Sequence, residues 1–211
     1  MEYYPLNLSL KNKKCVVLGA GHVALRKVKR LLECGGRVLV VGQEILPELK
    51  NLLKKKKVIF KNKKASLKDL AGSFLVVSAT DDRKLNALVS AYCLKRNILV
   101  NVVDSPKECN FILPSILRKG NLTISVSTDG VSPALAKKIR QDIQKRFGLE
   151  YAKLLHLIKD IRPAVLKKIK NPRARNIFWK KIFQPKTVAL FKKSKLQAKK
   201  RIGEYLKNAK P

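Results

Sequence analysis

VVLGAGHVALRK, residues 16–27, is the stretch that decides the fold of this chain. The apolar run at 15–18 predicts a buried parallel strand. After Gly19-x-Gly21-x-x-Ala24, apolar residues at helical spacing predict a helix that ends at Gly35-Gly36. The apolar face of that helix holds Ala24, Val28, Leu31 and Leu32. A second strand at 37–41 follows directly, which completes the first β–α–β unit of a dinucleotide-binding fold.

The small residues of this loop have separate physical roles in such a fold. Gly19 permits the tight turn out of the strand, and Gly21 lets the backbone approach a pyrophosphate. Ala24 allows close packing of the helix on the strand. The pyrophosphate would bind the free N–H groups at the helix N-terminus, where the helix dipole favours anions. The alternative is a glycine-rich turn that binds nothing.

The composition is that of a globular but very basic protein. The chain has 211 residues, with 48 Lys and Arg against 14 Asp and Glu, a net charge of +34. Its hydrophobic fraction of 45% is ordinary and excludes a disordered basic tail. The charge indicates an anionic partner: nucleic acid, an acidic membrane surface or a polyanionic small molecule. Lineage-wide use of lysine is the alternative explanation.

The cysteines and the apolar runs indicate a cytoplasmic protein. None of Cys15, Cys34, Cys93 and Cys109 shares a C-x-x-C spacing, and we interpret them as reduced thiols. No apolar run approaches the length of about 18 residues that a membrane span needs. Residues 1–5 lack the apolar region of a signal peptide.

Further strands are predicted at 58–60, 73–78 and 98–103, with helices at 47–54 and 83–96 and a helical turn at 67–70. Cofactors bind at the carboxyl edge of such sheets, which here places Ser78, Ala79 and Thr80 beside the cofactor. Gln43 and Glu44 follow the second strand, where an acid holds the ribose hydroxyls of NAD. No Arg follows that strand, so the sequence favours NAD over NADP.

Acidic residues follow two of the predicted strands. Asp81 and Asp82 can cap the helix at 83–96, whose predicted apolar face is Leu85, Leu88, Val89 and Tyr92. Asp104 follows the strand at 98–103 and should emerge at the carboxyl edge beside the cofactor. The alternative role for Asp104 is an Asx-turn before Ser105-Pro106.

The pattern changes near residue 110. Two alternating segments around Gly120-Asn121 predict a β-hairpin, and Ser132-Pro133 predicts a helix start with Ser as N-cap. Four apolar residues of this helix recur every fourth position and predict a buried or interface stripe: Leu135, Ile139, Ile143 and Phe147. Because an isolated hairpin is marginally stable, a partner subunit is plausible.

From residue 150 onward the sequence predicts basic helices. Residues 151–211 hold 19 Lys and Arg against Asp160 and Glu204. Prolines at 163, 172 and 185 are expected to interrupt the segment. An apolar face is predicted from Ile177, Phe178, Ile182 and Phe183. Residues 192–210 are expected to be a frayed helix or tail. We therefore predict an α/β Rossmann-type domain at 1–110, an α+β dimerisation domain at 111–148 and a basic helical domain at 149–211.

Five motifs together resemble the precorrin-2 dehydrogenase family, which includes the N-terminal module of sirohaem synthase and bifunctional dehydrogenase/ferrochelatases. The resemblance extends from Tyr4-Pro5 to about Phe183. The motifs are VLGAGHVA-x-RK at 17–27, ATDD at 79–82, NVVD-x-P at 101–106, NFILPS at 110–115 and STDG-x-SP-x-LA at 127–136. The family has Gly-Gly in many members where this chain has Asp129-Gly130.

The resemblance implies oxidation of precorrin-2 to sirohydrochlorin by a homodimer, with hydride transfer to NAD⁺. It assigns cofactor contacts to Gly19, Ala20, Gly21, His22, Val23, Gln43, Glu44, Ser78, Ala79 and Thr80. It assigns the general base to Asp104. It assigns the tetrapyrrole pocket to Asn101, Phe111, Pro114, Ser127 and Thr128. The carboxylates of the substrate give part of the basic charge a specific reason.

Insertion of Fe²⁺ into sirohydrochlorin is a further activity that the resemblance implies for bifunctional members. The sequence shows no metal-ligand cluster, since His22 lies in the phosphate loop and His156 lies among leucines of a helix. Two rival functions remain at this point. One is a Rossmann module that senses NAD without catalysis, and the other is nucleic-acid binding, for which no specific recognition motif is present.

Overall fold

The structure is a computed structural model that describes residues 3–55 and 57–208. The chain divides into two compact units between Leu113 and Pro114. The predicted helical-domain boundary at 148/149 falls inside the second unit and stays a prediction. The expectations for residues 1–5 and for the tail extend in part outside the described residues.

The first unit is a five-stranded parallel sheet with helices. Its strands are β1 (Lys14–Leu18), β2 (Arg37–Gly42), β3 (Val58–Asn62), β4 (Leu75–Ser78) and β5 (Leu99–Val102). The helices are α1 (His22–Glu33), α2 (Pro47–Lys54) and α3 (Arg83–Lys95), with 3₁₀ turns at Leu67–Leu70 and Pro106–Glu108. The strand order is β3-β2-β1-β4-β5, and every neighbouring pair is parallel. This order confirms the predicted Rossmann-type architecture.

Two apolar clusters cover the two faces of the sheet. Alternate residues of β1 divide between them: Cys15 and Val17 pack with α1, whereas Val16 and Leu18 pack with α3. Helix α1 buries Ala24, Leu25, Val28 and Leu31, and the predicted Leu32 is half-buried against the same cluster. All four cysteines are free thiols, and burial raises the pKa of both Cys15 and Cys93 to about 11.

The predicted apolar face of α3 is wrong at Leu88, whose side chain is 56% exposed. The helix instead buries Asn86, Val89, Ser90 and Cys93. The buried polar residues have partners in other segments, since the Ser90 hydroxyl donates to the Glu108 carbonyl at 2.9 Å. The buried face of α3 therefore carries the small polar side chains of Asn86 and Ser90 beside its apolar residues. Its N-cap is confirmed: the Asp82 carboxylate accepts the Leu85 N–H at 3.0 Å.

The segment after β5 returns along the outer edge of that strand. Its side chains form hydrogen bonds with the N–H and C=O groups at this edge, which have no neighbouring strand among the described residues. The Val100 N–H donates to the Asn110 side-chain oxygen at 2.7 Å, and the Asn110 side-chain amide donates to the Ile98 carbonyl at 2.9 Å. The Cys109 sulfur accepts the Val102 N–H at 3.1 Å. Burial raises the pKa of Cys109, so its thiol also donates to the Val102 carbonyl at 3.3 Å.

The second unit joins a hairpin to a series of helices. The antiparallel hairpin is β6 (Ser115–Lys119) and β7 (Leu122–Val126), and it pairs with no other strand in the described part of the chain. The helices are α4 (Pro133–Arg146), α5 (Leu149–Lys168), α6 (Pro172–Ile182), α7 (Pro185–Lys193) and α8 (Lys195–Lys207). The predicted start of α4 is confirmed, with Pro133 in the first turn and the Ser132 hydroxyl accepting the Leu135 N–H at 3.3 Å.

The stripe on α4 is not buried within its own unit. Leu135 is 52% exposed and Ile139 is 38% exposed, while Ile143 and Phe147 are half-buried. Of the two roles predicted for this stripe, the structure leaves the interface role open and rules out complete burial within the second unit.

Helices α5 to α8 share one apolar core, which includes Leu157, Phe178, Ile182, Phe191 and Ile202. Two predictions in this region are wrong: Pro163 lies inside α5 and does not interrupt it, and Ile177 and Phe183 of the predicted apolar face are more than half exposed. Of the two forms predicted for 192–210, residues 195–207 take the helical one, and this helix buries Ala198 and Ile202. The last helix packs because its two buried residues are four apart and meet the core. No helix in the described ranges has the length and apolarity to cross a bilayer.

Candidate functional site

The loop between β1 and α1 lies against the carboxyl ends of β2 and β4. Gly19 has φ +95°, and a Cβ built on it would overlap the carbonyl oxygen of Ala79. Its N–H donates to the Val41 carbonyl at 2.8 Å. Both the left-handed backbone and the close approach of Ala79 therefore require glycine at this position.

Gly21 has a different environment, because apart from its chain neighbours no described residue places an atom within 4 Å of a Cβ built there. It is the N-cap of α1, which has no side-chain cap and no acidic residue in its first turn. The first N–H groups of α1 thus have no side-chain cap. An open space beside uncapped N–H groups fits a dinucleotide pyrophosphate.

The rest of the loop and the end of β2 complete one side of this site. Ala20 is buried, and a Cβ on Gly42 would come within 3.1 Å of the Ala20 side chain. His22 and the pair Gln43 and Glu44 are exposed, whereas Val23 is half-buried. Glu44 makes no ion pair with any described residue. Its carboxylate is therefore available to accept hydrogen bonds from ribose hydroxyls.

At the end of β4, the hydroxyls of Ser78 and Thr80 are both bound by Asn86. The Asn86 side-chain oxygen accepts from Ser78 at 2.6 Å and from Thr80 at 3.0 Å. Its amide donates to the Thr80 carbonyl at 3.0 Å. Ser78 is fully buried, and its hydrogen bond to Asn86 fixes the start of the Ala79–Thr80 turn. Sequence analysis missed Asn86, and the available signal was a polar residue next to the apolar positions of α3.

Asp104 follows β5 by two residues and is exposed at the carboxyl edge of the sheet. It has φ +58°, a left-handed conformation that is uncommon for a non-glycine residue and recurs at functional sites. Its carboxylate has no hydrogen bond or ion pair with a described residue. An Asx-turn is not formed, since Pro106 has no N–H to donate. The carboxylate is thus exposed to an incoming molecule.

Lys27 of α1 is half-buried near Asp104, and sequence analysis did not single it out. Burial lowers the pKa of Lys27, the positive charges of Arg30 and Arg26 lower it further, and the negative charge of Asp104 partly offsets both effects. Lys27 therefore lies close enough to Asp104 for the two charges to interact.

The predicted tetrapyrrole residues divide between the two units. Asn101 is buried, and its amide donates to the Phe111 carbonyl at 3.2 Å, so it holds the segment after β5. Pro114, Ser127 and Thr128 belong to the second unit. The Thr128 hydroxyl donates to the Ser132 carbonyl at 3.0 Å and accepts the Ser132 N–H at 3.1 Å. Their contact with a substrate stays a prediction.

The loop at 127–130 is an exposed turn. Asp129 has φ +49° and Gly130 has φ +85°, and the Asp129 N–H donates to the Ser127 hydroxyl at 3.1 Å. The Asp129 carboxylate lies within 3.4 Å of the same hydroxyl. Across the residues that the structure describes, no three His, Cys, Asp or Glu side chains are gathered to hold a metal ion.

Three family models match successive parts of the chain. The one described as putative NAD(P)-binding matches residues 6–115. The model for the central region of a sirohaem biosynthesis protein matches 119–146, and that for the sirohaem synthase dimerisation region matches 150–202. The first unit thus coincides with a nucleotide-binding model, and the second contains the other two.

Similar proteins include siroheme synthases and one solved dehydrogenase. The chain is 36% identical over 184 residues to siroheme synthase of Methylobacillus flagellatus, covering 87% of this chain and 39% of that protein. It is 36% identical over 191 residues to that of Thioalkalivibrio sulfidiphilus, covering 90% and 39%. The chain therefore spans about two fifths of these relatives. The solved structure of SirC, a precorrin-2 dehydrogenase, matches with a TM-score of 0.80 and 25% identity, covering 97% of this chain and all of that one.

Proposed function

We propose that this chain, which belongs to the sirohaem biosynthesis family of precorrin-2 dehydrogenases and sirohaem synthase N-terminal modules, oxidises precorrin-2 to sirohydrochlorin with NAD⁺. The match to SirC over 97% of this chain and all of that one carries the proposal. Siroheme synthases are more than twice as long, so the match to them supports a shared module and not their whole activity.

The cofactor site supports this proposal through the residues at the carboxyl edge of the sheet. Gly19, Gly21 and the first turn of α1 would hold the pyrophosphate, and Glu44 would hold the adenosine ribose. The turn at 79–80 would contact the cofactor through its backbone, because Asn86 occupies both neighbouring hydroxyls. Bound NAD⁺ supplies the hydride acceptor for the oxidation.

Asp104 is the residue proposed to take the proton that precorrin-2 loses. Oxidation breaks a C–H bond as a hydride leaves, and a second hydrogen leaves as a proton, which needs a base within reach. The Asp104 carboxylate is exposed at the cofactor edge and makes no bond to a described residue. Lys27 of α1 is the half-buried cationic side chain whose charge interacts with that of Asp104.

A homodimer is the proposed assembly. The sirohaem synthase dimerisation model matches residues 150–202, within the second unit. In that unit the hairpin β6–β7 has no further strand partner in the described ranges, and α4 exposes Leu135 and Ile139. A second copy would cover these apolar side chains and supply the strand pairing that a two-stranded sheet lacks.

An anaerobic assay with enzymatically prepared precorrin-2 and NAD⁺ tests the proposal, with sirohydrochlorin formation and NADH followed by absorbance. The wild type should form both products in equal amounts. Asp104→Asn should bind NAD⁺ normally and lose most of the turnover. Asp81→Asn is the matched control, since Asp81 is an exposed carboxylate near the end of β4. A wild type that binds NAD⁺ but forms no product would instead indicate an NAD-sensing module.

Iron insertion is tested by adding Fe²⁺ to the same reaction after sirohydrochlorin has formed. The described residues offer no preformed cluster for Fe²⁺. A bifunctional chain would then depend on the tetrapyrrole nitrogens as ligands and on Asp104 as the acceptor of their protons. Insertion faster than the spontaneous rate identifies a bifunctional enzyme, and the spontaneous rate identifies a dehydrogenase alone.

A further inference from the structure

A buried carboxylate lies in the 3₁₀ turn that follows β3. Asp69 is 4% exposed. Its Oδ2 accepts the N–H and the hydroxyl of Ser66, each at 3.1 Å. The same oxygen accepts from the Lys63 ammonium at 2.7 Å, and Oδ1 accepts from Lys61 at 3.5 Å. Because Asp69 has almost no access to water, its charge is compensated by these protein groups.

The two lysines lie beside the end of β2. Lys61 is paired with Val41 in the parallel register, and the Lys63 N–H donates to the Gly42 carbonyl at 3.2 Å. Gln43 and Glu44 follow Gly42 directly. The side chains of Lys61 and Lys63 remain about half exposed, so both are accessible from solvent at this edge.

The end of β2 is where dinucleotide-binding folds distinguish NAD from NADP. An acid there accepts hydrogen bonds from the ribose 2′-hydroxyl, whereas a nearby cation accommodates the 2′-phosphate of NADP. Glu44 offers the acid and makes no ion pair with a described residue. The nearby cations, Lys61 of β3 and Lys63 just after it, are paired with Asp69.

We propose that Asp69 is a specificity-determining residue that favours NAD over NADP by holding Lys61 and Lys63 away from the adenosine ribose. The same pairing leaves Glu44 free of a competing ammonium group, so that its carboxylate accepts the ribose hydroxyls. This inference rests on the proposed function, because it requires that the first unit binds a nicotinamide dinucleotide.

Direct titration of the full chain with NAD⁺ and with NADP⁺ by calorimetry tests the inference. Asp69→Asn keeps the shape of the side chain and an oxygen that accepts from Ser66, but it removes the charge that holds the lysines. We expect this variant to improve the Kd for NADP⁺ relative to NAD⁺ by about fivefold, the equivalent of one ion pair near a surface. Adding Lys63→Met to that variant should remove the gain.

Asp142→Asn is the matched control for non-specific charge. Asp142 is exposed on α4 and pairs with Lys145 at 3.1 Å and Lys138 at 3.5 Å, so its loss also frees two lysines. In a chain of net charge +34, any freed lysine attracts the extra phosphate of NADP⁺ to some degree. An equal change of the Kd ratio in both variants overturns the inference.

Lys61→Met tests the inference without altering Asp69 if Asp69→Asn fails to fold, because Lys63 and Ser66 still compensate the carboxylate. If Asp69 holds Lys61 away from the ribose, removing this lysine leaves the NADP⁺ Kd within about twofold of wild type. A larger loss of NADP⁺ affinity overturns the inference. A wild type that binds neither nucleotide overturns the proposed function as well, whereas NAD⁺ binding with unchanged ratios overturns the inference alone.

Discussion

The side-chain oxygen of Asn86 lies 2.6 Å from the hydroxyl oxygen of the fully buried Ser78. The same Asn86 oxygen accepts from Thr80, and its amide donates to the Thr80 carbonyl. One helical side chain thus fixes the turn that follows β4. That turn carries the Ala79 carbonyl against Gly19, so the position of the glycine loop depends on a residue of α3.

Asn86→Ala is expected to weaken NAD⁺ binding and to lower stability. It leaves the buried Ser78 hydroxyl without its partner, at a cost of about 1–3 kcal/mol in the free energy of unfolding. Release of the 79–80 turn should raise the Kd for NAD⁺ about tenfold. Urea unfolding and calorimetry measure the two effects. Ser90→Ala removes a buried bond of the same helix to Glu108 and should lower stability alone. Equal NAD⁺ affinity in both variants would contradict the role of Asn86.

The two loop glycines should respond differently to alanine. Gly19→Ala meets the Ala79 carbonyl and forces a left-handed alanine, so we expect a clear loss of stability together with loss of NAD⁺ binding. Gly21→Ala meets no protein atom, so it should fold with near wild-type stability and still bind NAD⁺ more weakly. Gly72→Ala, with φ +67° and open space, reports the cost of the left-handed backbone alone. Unchanged NAD⁺ affinity in Gly21→Ala would exclude close approach of the pyrophosphate at this residue.

Asp69 should make the stability of the first unit depend on acid pH. Burial by itself would raise the pKa of Asp69, but hydrogen bonds from Lys63 and Ser66 hold that pKa below its usual value. Its stabilising contribution is therefore complete above the unfolded pKa of about 4 and is lost as the pH falls through the lower folded pKa. The free energy of unfolding of wild type should decrease over this range more steeply than that of Asp69→Asn.

Measurements at high salt distinguish the pH dependence of stability due to the buried Asp69 from that due to exposed charged pairs. The pKa of the exposed Asp142 is also lowered, chiefly by a hydrogen bond from Lys145. Its contribution should disappear in about 0.5 M salt, because exposed pairs are screened. The pH dependence that Asp69→Asn removes should persist in the same salt. If the added salt abolishes the contributions of both Asp69 and Asp142, the Asp69 carboxylate is accessible to solvent and ions.

Ile139→Lys is expected to shift the chain from dimer to monomer. The substitution places a charge on the exposed apolar stripe of α4, where burial against a second copy would require its desolvation. Gln141→Lys adds the same charge at an exposed position two residues further on. Analytical ultracentrifugation should show a dimer for wild type and for Gln141→Lys, and a monomer for Ile139→Lys. A dimer in all three would place the interface elsewhere.

Local sequence patterns were sufficient for the elements of the first unit. Helix α2 has its predicted bounds, Pro47–Lys54, because a proline in its first turn and a lysine run after it define both ends. The glycine loop was predictable from its spacing, since Gly-x-Gly-x-x-Ala directly follows an apolar strand pattern and directly precedes a helical pattern. These features depend on residues close together in the chain.

What sequence analysis missed depends on contacts between distant segments. The inward face of α3 is set by Asn86 and Ser90, whose partners come from β4 and from the segment after β5. Helix α8 packs because α5 to α7 provide an apolar surface for Ala198 and Ile202. The pairing of Asp69 with Lys61 of β3 and with Lys63 just after it likewise has no signature in hydrophobic spacing.

The hydrogen bonds from the side chains of Cys109 and Asn110 to the backbone of β5 affect the tendency of the protein to aggregate at high concentration. An exposed edge strand is a template for intermolecular pairing and aggregation. On β5 the outward N–H and C=O groups of Val100 and Val102 are already bonded within the chain. The opposite edge, β3, carries Lys61 and is followed by Lys63, and charge on an edge strand opposes stacking of copies. Both edge strands of the sheet therefore oppose pairing with strands of other copies. At β5 the backbone groups are already hydrogen-bonded to side chains and backbone of the same chain, and at β3 the lysines repel another copy.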